Sequence, residues 1–271
     1  MDTTLEEYTI ALMQPVYKEL PKVAFKVSSR VPKGAVDFLN KVACNDMHRA
    51  KNAILDRFGK LVVFFDQLVV GGNIFVAFEK QFKDRFLSGI GKYAALAKVA
   101  VEETPLKVFH ILGFGKLPDI GALRIPQNIG YLSLLPDSSG LGSLREISEN
   151  TYAIFRLEND IPLQGIDFDQ QMFLEIARDG WVSFTKGCYP GQEVMARVHN
   201  LSNPGRKLVR ILYEKVPAAV TINGTQVGTI TSKCFSYQHK KFLVFAAITN
   251  YHVPVDDGEY LRYGHWAVIL T

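Results

Sequence analysis

The break at Asn203-Pro204-Gly205 most constrains what this chain can fold into, because the sequence changes character there. Proline lacks a backbone N–H and glycine resists regular structure, so neither a helix nor a strand is expected to run through this point. Beyond it come short runs with strand character: Lys207 to Tyr213, Thr221-Ile222, Gln226 to Thr231, Leu243 to Ile248 and His265 to Leu270. Asn223-Gly224 separates two of them and favours a type I′ hairpin. Repeated short strands with turn signals predict a small β-barrel. The expected plan is an α+β body over residues 1–204 and a C-terminal β-barrel over 205–271.

Within the first part, apolar residues at Val36, Leu39, Ala43 and Met47 predict a helix across Lys33 to Met47. Leu61 to Val70 and Ile74 to Phe78, joined by Gly71-Gly72-Asn73, predict a β-hairpin. Phe82, Phe86 and Ile90 recur every four residues and predict a helix from about Glu79 to Gly89. Lys107 to Leu112 reads as a strand, and Gly113 to Asn150, rich in Gly, Pro and Ser, as mostly irregular. Thr151 to Glu158 alternates, and is expected to be a strand carrying Arg156 and Glu158 on one face.

The chain has 271 residues, 48% hydrophobic and 21% charged, which is enough for a sizeable core without staples. Its three cysteines are far apart, with no C-x-x-C, which argues against a disulfide framework or a structural metal site. The six histidines include no pair at helical metal-ligand spacing, so no metal site is expected. A net charge of +4, spread thinly, lacks the basic stripe that nucleic-acid binding needs. The acidic start, Met1 to Glu7, does not read as a signal peptide, and the longest apolar run is too short for a bilayer. A cytoplasmic protein is expected.

One stretch carries chemistry. Lys186-Gly187-Cys188-Tyr189-Pro190-Gly191-Gln192-Glu193 puts a cysteine two residues from a lysine, ahead of a turn into a short helix, Gln192 to Val198. A thiol is nucleophilic as its thiolate, which a nearby ammonium or helix N-terminus favours. If Trp181 to Cys188 is extended, Lys186 and Cys188 share a face. Cys188 and Lys186 are therefore the candidate catalytic residues. Cys44 and Cys234 sit in apolar surroundings and read as inert. A Cys188–His199 pair is the weaker alternative, and Tyr189 either stacks on a ligand or packs the turn.

The octapeptide and the following Val194-Met195-Ala196-Arg197 resemble the signature of the YgfZ family. That family comprises folate-binding proteins related to the glycine-cleavage T-protein, an aminomethyltransferase. Phe155-Arg156-Leu157-Glu158-Asn159-Asp160-Ile161-Pro162 is similar to a second element of such chains, and Phe38 to Leu68 follows the family order. The resemblance spans most of the chain, with its specific motifs in the middle.

The resemblance implies a T-protein-like body of ferredoxin-like halves followed by a small barrel, and tetrahydrofolate or a one-carbon derivative as cofactor. By position, Glu158 takes the role of the glutamate that accepts two hydrogen bonds from the pterin edge. Arg156 either orients that carboxylate or makes a structural pair, and Tyr189 completes the candidate cofactor contacts. Asp66 is the only carboxylate in the hairpin, at a spacing that departs from the family pattern. Where T-proteins show an asparagine after the second strand, this chain reads Ala77-Phe78-Glu79. The implied function is a tetrahydrofolate-binding accessory protein for assembling or maintaining iron–sulfur clusters, whose partners are iron–sulfur client or assembly proteins. The alternatives are a folate-dependent aminomethyltransferase and a binding module in which the octapeptide is only a turn.

Overall fold

A computed structural model describes residues 3–201, 204–249 and 251–261. In chain order the elements begin α1 (Thr3–Met13), β1 (Val16–Leu20), β2 (Lys22–Ser28), α2 (Gly34–Val42), β3 (Lys51–Leu55), β4 (Leu61–Val70) and β5 (Asn73–Glu79). Next come α3 (Lys83–Ala97), β6 (Ala100–Glu103), β7 (Lys107–Leu112), β8 (Arg124–Pro126), β9 (Tyr131–Leu135), β10 (Arg145–Glu146) and α4 (Glu149–Glu158). The last are α5 (Gln192–Leu201), β11 (Arg206–Tyr213), β12 (Val220–Ile222), β13 (Thr225–Ser236), β14 (Lys241–Thr249) and β15 (Gly258–Leu261).

Three five-stranded sheets result, in the orders β3-β4-β5-β2-β6, β10-β1-β7-β9-β8 and β12-β13-β14-β11-β15. The first is antiparallel throughout and buries one face under α2 and α3, where Phe25, Phe65, Phe78 and Phe86 pack together. The second carries α1 and α4, with Tyr8, Tyr152 and Phe155 against Val108, Leu112 and Leu132. This is a mixed α+β plan with segregated helices and sheets.

The β4–β5 hairpin forms as expected, with Val70 opposite Asn73 and both Gly71 and Gly72 at positive φ, as a type I′ turn requires. Asn223 and Gly224 likewise take positive φ between β12 and β13. The C-terminal strands form one antiparallel sheet among the described residues. The expected strand at His265 to Leu270 lies outside them, as does Asn203 at the expected domain break. This sheet does not keep its core to itself. Leu208, Leu212, Leu243 and Phe245 join a cluster with Phe64, Phe173 and Trp181 from the first part of the chain.

Four expectations need correction. Thr151 to Glu158 is a helix, α4: the Ser148 hydroxyl caps it by accepting from the Thr151 N–H, and the short apolar run fits a buried helix as well as a strand. Gly113 to Asn150 holds β8, β9 and β10, because pairing with β7 and β1 overrides weak local propensity. The helix expected across Lys33 to Met47 stops at Val42, where Ala43 turns extended and Cys44 N–H donates to the Ala53 carbonyl. Trp181 to Cys188 forms no strand and runs through a series of bends. The Phe82–Phe86–Ile90 periodicity does mark a helix, α3, shifted later and preceded by a single tight turn at Lys80–Phe82.

Candidate functional site

The cysteine turn is held from both sides. Ahead of it, the Lys186 ammonium donates to the carbonyls of Asn40 (2.8 Å), Ala43 (2.5 Å) and Asn45 (3.0 Å). The first two carbonyls lie at the C-terminal end of α2, where a helix leaves acceptors unpaired and favours a cation, and the third follows just beyond it. After it, Gly191 takes φ +81° and comes so close to the β3–β4 turn that a Cβ there would sit 2.5 Å from the Asp56 carbonyl oxygen. Only glycine tolerates both the dihedral and the approach. Between these anchors Cys188 is exposed, and Tyr189 is buried beneath, its ring 5.2 Å from the Lys186 ammonium.

The lysine is thus directed at backbone carbonyls rather than at the neighbouring thiol. Burial pulls the Lys186 ammonium down to about 8. The thiol that feels Lys186 is Cys44, yet burial outweighs that attraction and pushes Cys44 up to about 12. The Cys188 sulfur accepts and donates no hydrogen bond among the described residues. His199, the alternative base, stacks on the Phe184 ring at 4.2 Å.

Glu158 ends α4 and is closed off. Its Oε2 accepts from the Tyr8 hydroxyl at 2.8 Å, while Oε1 accepts from the Ser236 hydroxyl at 2.5 Å and from the Gln238 N–H at 3.3 Å. Tyr8 stacks on Phe155 with centroids 5.0 Å apart and leans on Tyr237 at the same distance. Burial and the Glu158 carboxylate together raise the Tyr8 hydroxyl well above its ordinary value, so it stays a donor. The Tyr8 and Ser236 hydroxyls and the Gln238 N–H therefore take up acceptor positions on the carboxylate to which sequence reasoning gave a ligand role. Because α4 is a helix, Arg156 and Glu158 do not share a face. Arg156 pairs with buried Asp167 at 2.7 Å and donates to the Ser232 hydroxyl at 2.6 Å.

A third cluster joins the first two sheets. Asp66 on β4 is buried between the ammonium groups of Lys22, at 3.2 Å, and Lys51, and accepts from the Gln127 amide at 3.0 Å. Burial alone would raise its carboxyl; Lys51 and Lys22 outweigh burial and hold it well below the usual carboxylate range. Lys22 also pairs with Glu79 at 2.8 Å. Nearby His110 is buried, with Nε2 2.7 Å from the Ile129 carbonyl and Nδ1 3.1 Å from the Tyr152 hydroxyl. Burial pulls His110 down to about 4, so it is neutral at pH 7. Asp66 stood out in the sequence as a carboxylate within an apolar strand. Its partners Lys22, Lys51 and Gln127 come from distant segments and left no local signal.

Among the described residues no group of three or more His, Cys, Asp or Glu side chains is arranged to hold a metal, and no helix is long and apolar enough to cross a membrane.

This architecture of two helix-covered sheets and a C-terminal antiparallel sheet is that of the T-protein fold. A glycine cleavage system aminomethyltransferase T from Bartonella henselae matches it with a TM-score of 0.74 over 91% of this chain and 81% of that one, at 12% identity. No family model and no curated protein matches the sequence.

Proposed function

We propose that this protein is a member of the T-protein fold that serves as an accessory protein rather than a transferase, presenting the Cys188 thiol to iron–sulfur client or assembly proteins, as in the YgfZ family. The observation that carries this reading is the contrast at the turn: an exposed sulfur on a segment anchored by Lys186 before it and Gly191 after it. A fixed, accessible sulfur suits soft iron, which prefers thiolate ligands, and the thiol proton passes to solvent when it binds. Replacing Cys188 with alanine is expected to lower the activity of iron–sulfur enzymes in cells while leaving folding unchanged. Full cluster-enzyme activity in the variant would reduce the octapeptide to a structural turn.

Tetrahydrofolate binding belongs to the same proposal and is supported by the fold alone. Since Tyr8 fills one side of Glu158, removing its hydroxyl frees an acceptor. Calorimetric titration with tetrahydrofolate is expected to show tighter binding by Tyr8→Phe than by the wild type, and a loss of about 1.5–3 kcal/mol in Glu158→Ala. No binding by either the wild type or Tyr8→Phe ends the folate part and leaves the thiol part standing.

Aminomethyl transfer is the second reading, favoured by the matching fold. Against it, both Asp66 carboxylate oxygens are engaged by the Lys22 and Lys51 ammonium groups and the Gln127 amide. Release of ammonia from an aminomethylated lipoyl carrier would establish turnover.

A further inference from the structure

An open groove of about 490 Å³ lies beside the cysteine turn, with Pro190 forming part of its wall. One side is the face of α3 carrying Gly89, Lys92, Tyr93 and Leu96, residues spaced one and two turns apart. The adjoining stripe of α3 buries Phe86, Ile90 and Ala94 in the core, so the groove runs along the solvent edge of that buried stripe. The other side is the end of β3 and its turn, with Ile54, Leu55 and Arg57. Gly89 makes the floor deep: a Cβ there would already touch Ile54 and Val62 at 3.4 Å.

The rim is apolar where a surface helix is ordinarily polar. Leu96 is 84% exposed and Tyr93 49% exposed. Two cations stand beside this apolar lining. Arg57 rests on the Phe58 ring at 4.6 Å, and neither Arg57 nor Lys92 pairs with a carboxylate among the described residues. The one acid in the lining, Asp56, has one oxygen turned back into its own turn, where Oδ1 accepts from the Phe58 and Lys60 N–H groups, so the lining carries two cations against one anion. An apolar trough of this size with a net positive lining, two cations against one anion, fits a small ligand of a definite kind. Its body is apolar, and its single anionic head meets the guanidinium and ammonium in charge-assisted hydrogen bonds.

We propose that this groove is a binding site for a small amphipathic monoanion, an alkyl or aryl body bearing one carboxylate. The site is separate from Glu158 and from the Asp66 cluster, and it does not depend on the folate or iron–sulfur readings. Its occupant lies next to the segment that presents Cys188.

The test uses the full chain with 8-anilinonaphthalene-1-sulfonate as fluorescent probe and decanoate as competitor. Saturable probe binding is expected, with displacement by decanoate at least fivefold more effective than displacement by decanol, which lacks the charge. Gly89→Leu, which fills the floor, and the double variant Arg57→Glu with Lys92→Glu, which reverses the cations, are each expected to weaken decanoate binding at least fivefold. Urea midpoints confirm folding; should Gly89→Leu not fold, the charge-reversed variant, altered only at the surface, decides. Absence of saturable binding, parity of decanol with decanoate, or a loss smaller than fivefold in a folded variant overturns the proposal. Tetrahydrofolate binding, measured on the same variants, is expected to be unchanged, which keeps the two proposals distinguishable.

Discussion

Glu158 and Cys188 sit in neighbouring stretches of sequence and end in opposite situations. Glu158 is 7% exposed, its two oxygens filled by Tyr8, Ser236 and Gln238; Cys188 is exposed, on a turn whose neighbours do all the bonding. The difference teaches how a fold separates fixing a residue from using it. Glu158 is held by bonds to its own reactive atoms, which quiets them. Cys188 is held by bonds to the residues around it, which leaves the sulfur free. The Asp66 cluster belongs with Glu158: a buried carboxylate whose oxygens are satisfied by the side chains packed around it.

If this contrast is right, substitutions in the closed regions reduce stability and substitutions at the open one do not. The largest loss is expected for Asp66→Asn, which leaves Lys22 and Lys51 buried with one neighbour fewer; breaking a buried pair costs roughly 3–5 kcal/mol. Urea unfolding checks it, and a loss under about 1 kcal/mol would mean that water reaches the cluster.

Next comes the pH dependence of His110. Its folded value is near 4 and its ordinary value 6.5, so between those limits the unfolded chain holds more protons and stability falls as pH falls. The loss from pH 6.5 to 4 is about 2–3 kcal/mol, with stability retained above 6.5. His110→Phe is expected to flatten that part of the profile. An unchanged slope would show that other groups carry it.

Glu158→Ala is expected to cost about 1–3 kcal/mol, since it orphans the Tyr8 and Ser236 hydroxyls in the interior. A neutral result would place Glu158 with the open region. The smallest effect is expected at Cys188: alanine there changes stability by no more than about 0.5 kcal/mol, because the sulfur has no buried partner. In the native protein a thiol reagent is expected to modify Cys188 first. Cys44, buried and with its thiol pushed up to about 12, reacts only on unfolding, and half-buried Cys234, likewise pushed up to about 12, reacts more slowly than Cys188. Equal rates for all three would erase the distinction.

The sequence determined the local devices. Positive-φ residues at Gly71-Gly72 and Asn223-Gly224 made the hairpins readable, the spacing of Phe82, Phe86 and Ile90 marked α3, and Pro190-Gly191 marked the turn before α5. These rest on backbone sterics and short-range periodicity, which a chain carries in its own order of residues. Tertiary structure alone decided what those devices are used for. It made α4 a helix by burying it on nearly every side, sent the Lys186 ammonium to carbonyls of a helix far away in sequence, and laid Tyr8 from the N-terminal helix across Glu158. Each depends on which distant groups need a hydrogen-bond partner once water is gone, and that need arises only when the chain has closed on itself.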